Sequence, residues 1–184
     1  LAFEAGHIHY TRVPMSSVAN LKSSPPANSM VEEYPSLYYV WVGMNVENEL
    51  LSNKNLRKAI QHAIDVPSIM QASYFGAAVP STGIIAPGLI GHRNESLVAP
   101  EANIARAKEY LDASGLSGNV RVTLDILNKA ANVTTAQVIQ ANLAQVGITL
   151  DINLHESGAF WSLGDHTAGD RYKDIQLILN RYSM

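Results

Sequence analysis

Between Val120 and Leu154 the hydrophobic period of the chain changes twice, and that change limits what it can fold into. Val120 to Leu127 alternates Val, Thr, Leu, Asp and Ile in strand fashion. Thr134 then caps a segment in which Val138, Ile139, Leu143 and Val146 recur at helical spacing, ending at Gly147. Ile148, Leu150, Ile152 and Leu154 alternate again with polar residues. Alternation lines one face of a strand, and spacing by three and four lines one face of a helix, so the segment reads as strand, helix, half-buried strand.

The same grammar extends outward. Gly6 to Val13 reads as a short strand with Ile8, Tyr10 and Arg12 on one face and His7, His9 and Thr11 on the other. Ser16 and Ser17 cap a short helix through Leu21, and Ser23-Ser24-Pro25-Pro26 makes a turn, because two prolines remove two backbone donors. Met30 to Glu33 and Leu37 to Asn45 read as strands. Trp41, between Val40 and Val42, is expected in the core. Asn53 caps a helix whose Leu56, Ile60, Ala63 and Ile64 form one stripe, and Asp65 starts a second helix with Pro67 in its first turn and Gly76 at its end. From Ala77 to His92 the breakers Pro80, Gly83, Pro87, Gly88 and Gly91 predict a long ordered loop. Pro100 opens a helix with Ile104, Ala107 and Leu111 inward and Gly115 beyond its end. A short segment around Phe160 to Leu163 precedes the last strand, Ile175 to Leu179, which is apolar enough to be central.

Strands alternating with helices of this length predict an α/β fold, a mixed sheet with helices on both faces. In such sheets ligands sit beyond the carboxyl ends of the strands, which directs attention to the residues after Leu127 and Leu179.

Composition narrows the chemistry. Thirteen Lys and Arg against sixteen Asp and Glu, scattered singly, leave no basic stripe for phosphates, so nucleic acid is not an expected partner. No cysteine is present, which excludes disulfides and thiolate chemistry. No stretch is long and apolar enough for membrane insertion. Motifs for a P-loop, a dinucleotide fold, a nucleophile elbow or a zinc protease are lacking, so no catalytic residue is assigned and the chain is not read as an enzyme. His7 and His9 share a strand face and would need a third ligand to hold zinc or nickel; with none nearby they read as surface residues, and no metal or other cofactor is expected. His155-Glu156 and Asp165-His166 read as solvated neighbours. Trp161, beside Ser157, Gly158 and Ser162, could face a cleft or close a core.

Four segments, taken in order, resemble family 5 extracellular solute-binding proteins, the dipeptide-, oligopeptide- and nickel-binding components of ABC importers. They are Asn45 with the helix Leu56-Arg57-Lys58-Ala59-Ile60-Gln61-His62-Ala63-Ile64-Asp65; Gly76-Ala77-Ala78-Val79-Pro80 with Ile85-Ala86-Pro87 and Gly91-His92; Ala105-Arg106-Ala107-Lys108-Glu109-Tyr110-Leu111 with Ala113-Ser114-Gly115; and Ile139-Gln140-Ala141-Asn142-Leu143-Ala144-Gln145-Val146-Gly147-Ile148. Leu1 to Pro14 is similar to a further stretch of that family, with His7 and His9 where it has two acids.

The resemblance implies a periplasmic-binding-protein type II lobe, residues 1–184 forming a single solute-binding lobe excised from a longer two-lobed protein. It implies a periplasmic or extracytoplasmic location, a peptide or similar small polar solute as ligand, and an ABC transporter's transmembrane permease as partner. Peptide-binding members hold the ligand's amino group with an Asp after the last strand of this lobe, and some hold its carboxylate with an Arg after the strand equivalent to Val120 to Leu127. Here that second region reads Asn128-Lys129-Ala130-Ala131-Asn132 and contains no Arg, a departure from the pattern of those members. Asn128, Lys129 and Trp161 are expected to line one wall of the site, with Asn180, Arg181 and Tyr182 next to the hinge. A ligand-sensing domain of a regulator, or a site for an opine, sugar or nickel, are the alternatives.

Overall fold

The structure, a computed structural model, describes residues 2–34, 37–116, 118–165, 167 and 170–183. In chain order its elements are α1 (Met15–Ser23), β1 (Tyr38–Met44), α2 (Lys54–Ala63), α3 (Val66–Tyr74), α4 (Ile104–Ala113), β2 (Val120–Leu127), α5 (Ala130–Ala144), β3 (Ile148–His155), α6 (Ser157–Ser162) and β4 (Leu177–Ser183). The strands form one mixed sheet in the order β1-β4-β2-β3. β2 runs parallel to both β3 and β4, and β1 runs antiparallel to β4.

The core lies where the predicted apolar faces meet. Val122, Leu124 and Ile126 of β2, Ile148 and Leu150 of β3 and Leu177 and Leu179 of β4 are buried together with Leu56 and Ile60 of α2, Ala107 of α4 and Ile139 and Leu143 of α5. β4 is an inner strand of the sheet, as its apolar run requires. The opposite face of β2 and β3 carries Arg121, Thr123 and Asp125 beside Asp151 and Asn153. On it Arg121 bonds Asp151 at 2.7 Å and the Thr123 amide donates to Gln176 at 2.7 Å. Helix α6 packs on β2 and β3, and its buried Phe160 lies outside the main cluster.

Helix starts follow side-chain chemistry. The Asn53 side-chain oxygen accepts from the amides of Asn55 and Leu56 at 3.0 and 3.2 Å, and the amide of Ser68 donates to Asp65 at 3.0 Å, with Pro67 in the first turn of α3. α3 ends as Phe75 and Gly76 turn left-handed, at φ 52° and 75°.

Several predicted boundaries move. Residues 6–13 and 30–33 pair with no described strand, and the first of these segments is mostly exposed; alternation alone cannot supply the ladder partners a strand needs. α1 starts at Met15 after Pro14 without a side-chain cap, so Ser16 and Ser17 are helical and not caps. α4 begins at Ile104, capped by Asn103 and not opened by Pro100, because Asn103 accepts from the amide of Arg106 at 2.9 Å. α5 begins at Ala130, four residues before the expected Thr134. Leu154 is 55% exposed, so β3 buries only the start of its apolar row, and β4 begins at Leu177 and continues past Leu179 to Ser183.

Candidate functional site

Because β2, β3 and β4 are parallel, their carboxyl ends lie at one end of the sheet, but they do not stop together. β2 ends at Leu127 and β3 at His155, directly paired. Leu179 is the last β4 residue registered against β2, opposite Ile126. From Asn180 to Ser183, β4 pairs with β1 alone among the described residues, through Trp41, Val40, Tyr39 and Tyr38. Along this overhang no described strand pairs with the edge of β4 that faces β2, and there the Arg181 amide donates to the Asn180 side chain at 2.8 Å.

The tips of β2 and β3 are fastened to each other. The Asn128 amide donates to the His155 carbonyl at 2.8 Å, and its side chain donates to Glu156 at 2.9 Å. The Lys129 amide and the Asn132 side chain both donate to the Leu127 carbonyl, at 2.8 and 3.0 Å. That second bond closes the turn tightly enough for α5 to begin at Ala130. Beneath the tips lies Asp125, only 6% exposed, whose carboxylate accepts from the Asn153 side chain at 3.2 Å and from His155 Nε2 at 2.7 Å. His155 and Glu156 are thus not merely solvated neighbours. Each reaches across to the adjacent strand or its loop, a pairing over a separation that no local pattern reveals.

The six expected site residues fall into two groups. Asn128 and Lys129 are exposed at the tip of β2, and Trp161 is 59% exposed on α6, set edge-on to Phe160 at 5.2 Å between ring centroids. Trp161 therefore does not close the core. Asn180 and Tyr182 alternate with Arg181 along the β4 overhang, so they face opposite sides of the ladder. Arg181 places its guanidinium over the Tyr38 ring at 5.5 Å, while Tyr182 shares its face with Tyr39 and Trp41. Trp41 corrects the sequence expectation: it is only partly buried and lines a concavity, on a strand that stands at the edge of the sheet among the described residues.

That concavity, of about 500 Å³, is lined by Tyr39, Trp41, Val42, Ile84, Ile85 and Tyr182. Tyr39, Ile84 and Ile85 escaped sequence reasoning because their proximity depends on how the 77–92 loop folds back along β1. A second concavity, of about 560 Å³, involves Asn53 and Gln176, whose side chains already cap α2 and accept from Thr123. Among the described residues no group of three or more His, Cys, Asp or Glu converges as metal ligands, and no helix is long and apolar enough to cross a membrane.

The α/β layer thus carries polar strand ends, a strand edge without a described partner strand and an apolar concavity beside it. A family model, "Bacterial extracellular solute-binding proteins, family 5 Middle", matches residues 1–178, and the chain belongs to that family. It is 26% identical over 147 residues to the glutathione-binding protein GsiB of Escherichia coli O1:K1, covering 79% of this chain and 28% of that protein. Its fold superposes on the ABC transporter substrate-binding protein CtaP of Listeria monocytogenes with a TM-score of 0.84 at 22% identity, covering 98% of this chain and 36% of the other. The periplasmic binding protein DppA of Helicobacter pylori, solved with the peptide STSA, matches with a TM-score of 0.77 at 25% identity, over 100% of this chain and 34% of the other. The chain thus spans about a quarter to a third of the length of these relatives, and it has the fold of their type II binding-protein lobes.

Proposed function

We propose that this chain is one lobe of a two-lobed extracytoplasmic clamp that closes on a peptide and presents it to the permease of an ABC importer. The observation that carries the reading is the overhang of β4. An extended peptide can pair with a strand edge that has no partner strand, displacing the Asn180 side chain from the Arg181 amide, while its termini and side chains meet the groups on either side. Those groups are Asn128, Lys129 and Glu156 at the strand tips and Asn180, Arg181 and Tyr182 on the overhang, with Trp161 exposed on α6. Lys129 and Arg181 are the cations available for a peptide carboxylate. The Helicobacter pylori relative solved with a peptide supports this ligand class. A clamp of this kind binds and hands over without making or breaking bonds, and hinge closure accompanies binding.

The test is thermal unfolding of the full-length protein with peptides, glutathione, oligosaccharides and nickel, since a ligand that binds only the folded form raises Tm. A rise with peptides is expected. A rise confined to sugars or nickel would overturn the peptide assignment while keeping the clamp. Lys129→Ala and Arg181→Ala should each weaken peptide binding roughly tenfold, the scale of one charged hydrogen bond. Unchanged affinity in calorimetry would remove that residue from the site.

A further inference from the structure

In a chain whose formal net charge is −3, helix α2 carries Lys54, Arg57 and Lys58 and no acid. Its apolar residues Leu56, Ala59, Ile60 and Ala63 are all buried, so the face it leaves to solvent is polar. Where that face meets α4, the Lys58 ammonium and the Arg106 guanidinium both stand over the Tyr110 ring, 4.8 and 4.7 Å from its centroid, and the His62 ring stacks on it at 5.3 Å. One aromatic ring therefore attracts two cations and holds them close to each other. Arg106 is fixed further, bonding Glu109 at 2.6 Å and the Tyr110 hydroxyl at 3.1 Å, yet its side chain stays 51% exposed. Among the described residues no carboxylate meets Lys58. His62 feels the resulting field: burial first, then the charges of Arg106 and Lys58, hold its pKa below the usual histidine range.

Cations already positioned on a ring lose little further freedom when an anion arrives, and a carboxylate set between them also relieves their mutual repulsion. We propose, resting on the importer reading above, that this α2–α4 face is a docking surface for an acidic segment of the importer's permease, whose carboxylates bridge Lys58 and Arg106. A bilayer of anionic lipid does not fit the face. Insertion needs apolar side chains exposed beside the charges, and those of α2 point into the core. Attraction to headgroups alone takes a cluster of roughly four to eight cations. Here Arg57 is already engaged with the Leu51 and Ser52 carbonyls, which leaves Lys58 and Arg106 as the pair held on the ring.

The experiment measures association of the full-length protein, loaded with a peptide that raises its Tm, with nanodiscs holding the permease complex, at roughly 50 and 300 mM salt. Lys58→Glu and Arg106→Glu should each slow association at low salt by about tenfold or more, with the difference from the parent shrinking at high salt. Peptide affinity should stay within about twofold in both, which also shows that the variants are folded. Lys108→Glu makes the same change in net charge from another side of α4 and should alter association by less than about twofold. No association, no loss in Lys58→Glu and Arg106→Glu, or an equal loss in Lys108→Glu overturns the docking surface, while intact peptide binding leaves the importer reading standing. Association with anionic-lipid nanodiscs that lack the permease, lost in the same two variants, overturns the acidic protein segment as the partner. A full-length protein whose Tm no peptide raises overturns the peptide-importer reading and the docking surface with it.

Discussion

Gly43 is the residue with least freedom at the candidate site. A methyl group there would overlap the Trp41 ring and stand 3.0 Å from Ile178 Cγ2, so Gly43→Ala must push the ring off the strand. The expected cost is about 1–3 kcal/mol in urea unfolding, the scale of overpacking, with a shift in Trp41 emission best read in a Trp161→Phe background. Asp125 is the complementary case, a buried acid satisfied by two donors. Asp125→Ala leaves the Asn153 and His155 donors without their acceptor and should cost about 1–3 kcal/mol, whereas His155→Gln keeps a donor and should cost less. Equal losses in the two variants would show that the bond is not what holds the strand tips. At this scale the sequence was a partial guide. It marked Trp41 and Trp161 as the aromatic residues to watch, yet it put Trp41 inside, because flanking valines mark an apolar strand and not whether another layer packs on the face that Trp41 occupies.

At the scale of elements, caps and stripes dominate. Asn53 caps α2 with its oxygen and ties α2 to the end of α4 by donating to the Ser114 carbonyl at 2.8 Å. Asn53→Ala should therefore lose about 1–2 kcal/mol, toward the upper end for a cap. Ile60→Ala, at a fully buried position of the same helix, should lose about 2–5 kcal/mol through its cavity. Asp65 gives α3 a pH dependence. The Ser68 hydroxyl bond first, and the Ala102 amide second, hold its carboxyl below the usual carboxylate range, against the opposing effect of burial. A depressed folded pKa means that the contribution is complete above the unfolded value and is lost as pH falls through the folded one. Acid unfolding of Asp65→Asn should accordingly show a shallower loss of stability below about pH 4 than the parent chain. A parallel acid limb in both proteins would contradict this. The α2 and α3 caps were legible because a cap is decided within three or four residues. The start of α5 was not, since it depends on a turn closed by Asn132 onto the Leu127 carbonyl, and neither were the strands expected at 6–13 and 30–33, which have no described partner.

Across the whole molecule, stability is unevenly distributed. α1 buries no residue, while α2, α5, β2 and β3 surround one continuous core. Hydrogen exchange should show the amides of residues 15–23 opening far faster than those of residues 120–126 and 135–143, and comparable protection would show that the N-terminal segment docks more firmly than its exposure indicates. What the amino-acid order determined by itself was the local alphabet: β2, α5 and β3 in sequence, the stripe and cap of α2, the glycine stops, and the family motifs that run through them. These arise from backbone geometry over a few residues, where side-chain spacing alone decides which groups share a face. Only the tertiary structure decided that β4 lies between β1 and β2 and outruns β2, that Asp125 meets His155, and that Tyr39, Ile84 and Tyr182 border one concavity. Those juxtapositions follow from strand order and register, which are set by how distant apolar faces close on one another, and no local pattern carries that information.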